Sequence, residues 1–128
     1  MIWIDLTDKN LDGWTVAWAL EAVGIICNRQ TVPSDKRSAY FPSGLRLGTP
    51  ALTTRGMKEK EMVLISGWIN DVISHLQKMD LTKMDSVDKD KNKLARQEFK
   101  KQISKDRFLL KIKNKVLGLC RKFPVASI

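Results

Sequence analysis

The sequence predicts an α+β fold, a small, mainly antiparallel sheet packed against helices with a helical tail, and three observations carry that prediction. Two short strand-like segments sit in the first half of the chain, an apolar run at residues 1–6 and an alternating one at 45–47. Longer segments whose apolar residues recur every three or four positions lie between and after them. A length of 128 residues suffices for one modest core and excludes two independent enzymatic domains.

Taken in order, Met1-Ile2-Trp3-Ile4-Asp5-Leu6 reads as a strand that starts at the first residue with no lead-in, as a truncation would. Lys9-Asn10-Leu11-Asp12-Gly13 is turn chemistry, and Asp12 is placed to cap a helix over about 14–23, where Trp14, Ala17, Trp18 and Leu20 to Ala22 recur at helical spacing. Gly24 supplies a left-handed exit. Ile25-Ile26-Cys27 reads as a short buried strand, and a polar loop follows through Pro33 to Pro42. Leu45 and Leu47 alternate with Arg46, so a strand there turns Arg46 to the face opposite its leucine neighbours.

From about Lys58 a helix follows, with Glu59 and Glu61 where the helix dipole favours acids and Met62, Ile65, Trp68, Ile69, Val72, Leu76 and Met79 on one face. Asp80 to Asn92 is charged and poor in apolar residues, a solvated linker or partly helical loop. Leu109, Ile112, Val116, Leu119, Cys120 and Phe123 then mark an amphipathic helix over 105–123, stopped by Pro124. Trp3, Trp14, Trp18 and Trp68 all fall on faces expected to be buried. Residues 1–80 thus form the core of the domain, and 81–128 a basic linker and C-terminal helix of the same domain.

Charge divides the chain at the same place. Residues 1–77 hold eight basic and eight acidic side chains, which leaves fifteen of the 23 Lys and Arg but only six of the 14 Asp and Glu beyond them, the whole net charge of +9. Cys27 and Cys120 form no CxxC pair and lack the histidines of a zinc site, so no metal is expected and both read as reduced, buried thiols. No leader pattern appears, and no run approaches the ~20 apolar residues of a membrane span. The expected compartment is the cytoplasm, with no membrane partner.

No catalytic constellation assembles from these residues alone. The single histidine, His75, reads as a helix-flank residue with no acid or nucleophile expected beside it, and GxSxG, HExxH, Walker and GxGxxG patterns are absent.

The informative stretch is Asn28-Arg29-Gln30-Thr31-Val32-Pro33, followed at a fixed distance by Pro42-Ser43-Gly44-Leu45-Arg46-Leu47-Gly48-Thr49-Pro50-Ala51-Leu52-Thr53-Thr54-Arg55-Gly56. It resembles the C-terminal domain of serine hydroxymethyltransferases, whose pattern runs approximately NKN-[ST]-[VI]-P, a spacer with an Asp, then SG-[IL]-R-[LIV]-GTPA-[LI]-T-x-RG. The resemblance reaches outward to Ile4-Asp5-Leu6 with Lys9 to Gly13, similar to the family's VDL…K-x-L-x-G, and to Leu119-Cys120-Arg121-Lys122-Phe123-Pro124-Val125, similar to its C-x-[RK]-[FY]-P-V. Only the stretch from Asp80 to Lys101 is unaligned.

That resemblance implies the small C-terminal domain of a fold-type-I pyridoxal-phosphate enzyme, with the lysine, phosphate-binding and acid/base residues in a large domain outside this chain. It implies an enzyme that interconverts serine and glycine with tetrahydrofolate as one-carbon acceptor, works as a homodimer, and is inactive as this piece alone. Arg46 matches the arginine that holds the α-carboxylate of the amino acid. A planar guanidinium suits that task because it pairs with a carboxylate in two places and so sets orientation; without its flanking motif Arg46 would read as an ordinary surface ion pair. Gln30 and Ser38-Ala39-Tyr40 match positions that contact the folate. Gln30 departs from the family's usual Asn, keeping the amide and adding a methylene, so that contact is preserved, shifted or lost. Arg55 matches the family too, with a structural part, bonding nearby carbonyls and orienting the Arg46 strand.

A reading of another class is a nucleic-acid-binding module using the basic stretch from Lys89 to Lys122. The clear apolar stripe of that segment, with no aromatic stacking platform among its lysines, disfavours nucleic acid and favours a solvated charged face.

Overall fold

In the computed structural model, which describes residues 1–37, 41–79, 81 and 89–125, three short strands form an antiparallel sheet in the order β1-β3-β2. The strands are β1 (Ile2–Asp5), β2 (Asn28–Gln30) and β3 (Gly44–Leu47), and the helices are α1 (Gly13–Ala22), α2 (Pro50–Thr54), α3 (Glu59–Lys78), α4 (Lys89–Ser104) and α5 (Arg107–Lys122). The α+β class expected from the sequence is the one observed.

Local chemistry accounts for most boundaries. Asp12 caps α1, accepting from the Thr15 backbone N–H and hydroxyl at 2.8 Å each. Gly24, at φ +93°, takes the left-handed exit. The Glu61 carboxylate closes the start of α3 on the Lys58 N–H at 2.9 Å. Asp106 caps α5, accepting from the Phe108 and Leu109 N–H groups at 2.9 and 3.1 Å.

One apolar cluster joins all the layers. Leu6, Val16, Leu20 and Leu45 are wholly buried between sheet and helices, and Val72, Leu76, Phe99, Ile112 and Val116 continue the cluster between α3, α4 and α5. Helix α1 lies at the centre, touching the sheet on one side and α3, α4 and α5 on the others.

The structure departs from the sequence expectation in four places. The strand expected at Ile25 to Cys27 lies three residues later, at Asn28–Gln30, and Ile26 is 81% exposed, because the pairing with β3 begins where the chain comes alongside Arg46. Trp3 is half exposed, since it stands on the open face of the sheet. Asp80 to Asn92, read as a solvated linker or partly helical loop, is helical from Lys89, and α4 continues to Ser104 where no element is expected, with Ala95, Phe99 and Ile103 buried; its apolar stripe is only one residue wide per turn and is masked by lysines. The five-residue α2 went unanticipated, although Pro50 sits at its start, where proline is favoured.

Candidate functional site

β3 is the central strand, and its register sorts residues between two faces. Leu45 pairs with Ile4 and Arg29, whereas Arg46 pairs with Trp3 on β1 and Asn28 on β2. Directly paired residues project from the same face, so Trp3, Arg46 and Asn28 form a row across the sheet, and Gln30, two residues beyond Asn28, shares their side. Leu45 is fully buried on the core face and Arg46 is exposed on the other. The sequence reading of Arg46 as the out-facing member of its strand therefore matches the structure, which brings it together with Gln30. Ser38, Ala39 and Tyr40 lie outside the described residues.

Beside this row a cleft of about 560 Å³ opens between α1 and β2, its walls including Trp14, Trp18, Glu21, Cys27, Gln30 and Arg46. Trp14 and Trp18 stack with ring centroids 5.6 Å apart and planes 7° apart, and Lys100 Nζ sits 4.2 Å over the Trp18 ring, stiffening the α1 wall. No other described residue forms a hydrogen bond or ion pair with the Arg46 guanidinium. Asn28, Glu21 and the tryptophan wall were not foreseen as parts of the site; once β2 is registered at 28–30, alternation alone puts Asn28 beside Arg46.

The loop from β2 to β3 is organised by a residue that the sequence reading treated as spacer. The Asp35 carboxylate accepts from Val32 N–H at 3.3 Å, Arg37 N–H at 2.9 Å, Ser43 N–H at 2.9 Å and the Ser43 hydroxyl at 2.8 Å. Desolvation pushes its pKa upward, but the hydrogen bonds from Ser43, Arg37 and Val32 outweigh it and bring the carboxyl down to about 2. Ser43 is saturated in turn, its carbonyl accepting from Leu6 N–H at 2.7 Å. Next to it, a Cβ on Gly44 would meet Gln30 O and Val32 Cγ1 at 2.6 Å each, so only glycine lets β2 lie this close.

Arg55 bonds carbonyls, as expected, but those of a distant helix end. Its Nε donates to Phe123 O at 2.6 Å and its Nη2 to Cys120 O at 3.2 Å, closing the last turn of α5 against the segment that follows β3. His75 has an acid beside it after all: its Nε2 lies 2.6 Å from Asp106 Oδ2, and its ring stacks on Phe108 at 4.5 Å. The partner is 31 residues away in sequence, which is why local reading missed it.

Cys27 and Cys120 are free thiols and only partly buried. Desolvation, with the Glu21 charge adding to it, pushes the Cys27 thiol up to about 11, so it is protonated at neutral pH and no nucleophile. Among the described residues no cluster of three or more potential metal ligands occurs, and no helix is long and apolar enough to cross a membrane.

Comparison with known proteins gives a consistent picture. The family model for serine hydroxymethyltransferase matches residues 1–69. The chain is 40% identical over 122 residues, 95% of its length, to a serine hydroxymethyltransferase of Buchnera aphidicola. It is 37% identical over 125 residues to one of Legionella pneumophila, and 34% identical over 122 residues to one of Blochmanniella pennsylvanica. It spans about a quarter of the length of these curated relatives, 23% and 24% for the first two.

Proposed function

The chain belongs to the serine hydroxymethyltransferase family, and on that footing we propose that it is the substrate-gripping part of an enzyme interconverting serine plus tetrahydrofolate with glycine plus 5,10-methylenetetrahydrofolate. Arg46 holds the α-carboxylate of the amino acid. The observation that carries this reading is its position: a cationic fork on the central strand, facing an open cleft and engaged by no described acid. A carboxylate arriving there gains two charge-assisted hydrogen bonds without displacing a partner, and its orientation is set with its position.

Gln30, on the same face, offers an amide donor and acceptor to the folate, and Ser38, Ala39 and Tyr40 complete the folate contacts. Pyridoxal 5'-phosphate, which the family implies, does not fit the residues present here. The described cleft lining contains no lysine to condense with an aldehyde, and its cations are Arg29 and Arg46. Its binding belongs to the part of the enzyme that this chain does not span, where it supplies the electron sink for bond cleavage. The complete enzyme is a homodimer working in the cytoplasm.

The test is a chimera in which this chain replaces the matching stretch of the Legionella pneumophila relative. Serine cleavage is expected, and Arg46→Ala should lower kcat/KM for serine at least ~100-fold, with Arg46→Lys recovering little because a point charge does not replace the fork. An Arg46→Ala chimera as active as its parent would overturn the assignment. Steep salt-dependent RNA binding by an inactive chimera would favour the nucleic-acid reading instead.

A further inference from the structure

Resting on that reading, we infer that Asp35 is a positioning residue for the folate side of the site: by joining Val32 to Ser43 it holds the Gln30 strand in place against the Arg46 strand. Each of its two oxygens bridges a different pair of groups. Oδ2 joins Val32 N–H, two residues after β2, to Ser43 N–H, the residue before β3, and Oδ1 joins Arg37 N–H to the Ser43 hydroxyl. The loop mouth is thus closed by one carboxylate at the point where both site-bearing strands begin or end.

The two strands do not depend on that closure equally. β3 is paired on both sides, with Ile2 to Asp5 on one and Asn28 to Gln30 on the other, and its neighbour Ser43 is also held by Leu6. β2 has three residues and one paired edge, with Gln30 as its last member. Short edge strands are the first to fray when a flanking tie is removed. Losing the Asp35 carboxylate therefore displaces Gln30 and leaves Arg46 where it is. That asymmetry separates a positioning role from general structural support, because general support would be lost on both strands together.

The consequence is a split between the two substrates. In the chimera described above, Asp35→Ala should raise KM for tetrahydrofolate about tenfold while KM for serine changes less than about twofold. Asp35→Asn should fall between, because its amide oxygen can still accept from Val32 and Ser43 N–H while its amino group meets the Ser43 hydroxyl, and only the Arg37 bond is lost. If Asp35→Ala does not fold, Ser43→Ala removes the hydroxyl bond alone and should raise the folate KM by a smaller factor.

Parallel rises in both KM values, or an unchanged folate KM, overturn the proposal. A parent chimera without serine cleavage is a failure of the functional reading instead, and the tie is then judged in the 128-residue chain by amide exchange. There, Asp35→Asn should speed exchange at Arg37 while β1–β3 amides keep their protection; β1–β3 amides that exchange equally faster would refute the asymmetry.

Discussion

Truncating Phe99 to alanine tests whether α4 is part of the folded core. Phe99 is 3% exposed, and its ring lies 6.0 Å from that of Trp14, which itself packs on Trp18 and Phe41. Removing a buried phenylalanine costs about 3–5 kcal/mol through lost transfer energy and the cavity left behind. For a chain of 128 residues that corresponds to a fall in Tm of roughly 10–20 °C. Leu94→Ala on the same helix, where the side chain is 66% exposed, serves as the control and should stay within about 0.5 kcal/mol of the parent. The assay is thermal and urea unfolding followed by circular dichroism. Tryptophan fluorescence adds a local readout, since water admitted beside Trp14 should move its emission to the red. A Phe99→Ala chain as stable as the Leu94→Ala control would mean that α4 does not dock, and the core drawn above would lose one of its walls.

Acid should weaken the chain in a defined window. Asp35 has a folded pKa of about 2 against an ordinary 3.8, so its contribution is fully present above about pH 4 and is lost as pH falls towards 2; Asp35→Asn should flatten that limb of a pH-dependent urea titration by about 1 kcal/mol after allowance for solvent screening. Arg55→Ala should lower stability by about 1.5–3 kcal/mol and raise amide exchange in the last turn of α5, because two carbonyls lose their guanidinium donors. Gly44→Ala should prevent β2 from pairing, read as loss of amide protection at residues 28–30, since the new methyl group would press on Gln30 O and Val32 Cγ1 at 2.6 Å.

What could be read in advance follows the range of the interactions involved. The Asp12 cap, the Gly24 exit and the Leu45-Arg46-Leu47 alternation are decided within a few residues, and all three are observed. β2 was misplaced because Ile25-Ile26-Cys27 is the more apolar triplet, whereas pairing with β3 selects the polar Asn28-Arg29-Gln30. α4 was hidden for a related reason, its buried Ala95, Phe99 and Ile103 being diluted by charged neighbours whose cost is carried by solvent. The His75–Asp106 and Arg55–Phe123 contacts span 31 and 68 residues, beyond any local pattern. For the candidate site, Arg46 stands out through its motif, whereas Asn28 belongs to the same motif but gains a place beside Arg46 only through the strand register.

Register is also where stability and function become one requirement on this sheet. A slip of one residue between β3 and its neighbours would exchange the faces of Leu45 and Arg46. It would drive a guanidinium into the apolar cluster around Leu6, Val16 and Leu20 and leave a leucine on the open face, losing the buried contacts of Leu45 and desolvating a charge. The contacts that prevent the slip lie at the start of β3: Gly44, which alone admits the close approach of β2, and Ser43, held by Asp35 on one side and Leu6 on the other. Gly44 and the Leu6–Ser43 bond thus decide which face the arginine occupies, whereas loss of Asp35 alone leaves that bond and the β1–β3 register in place.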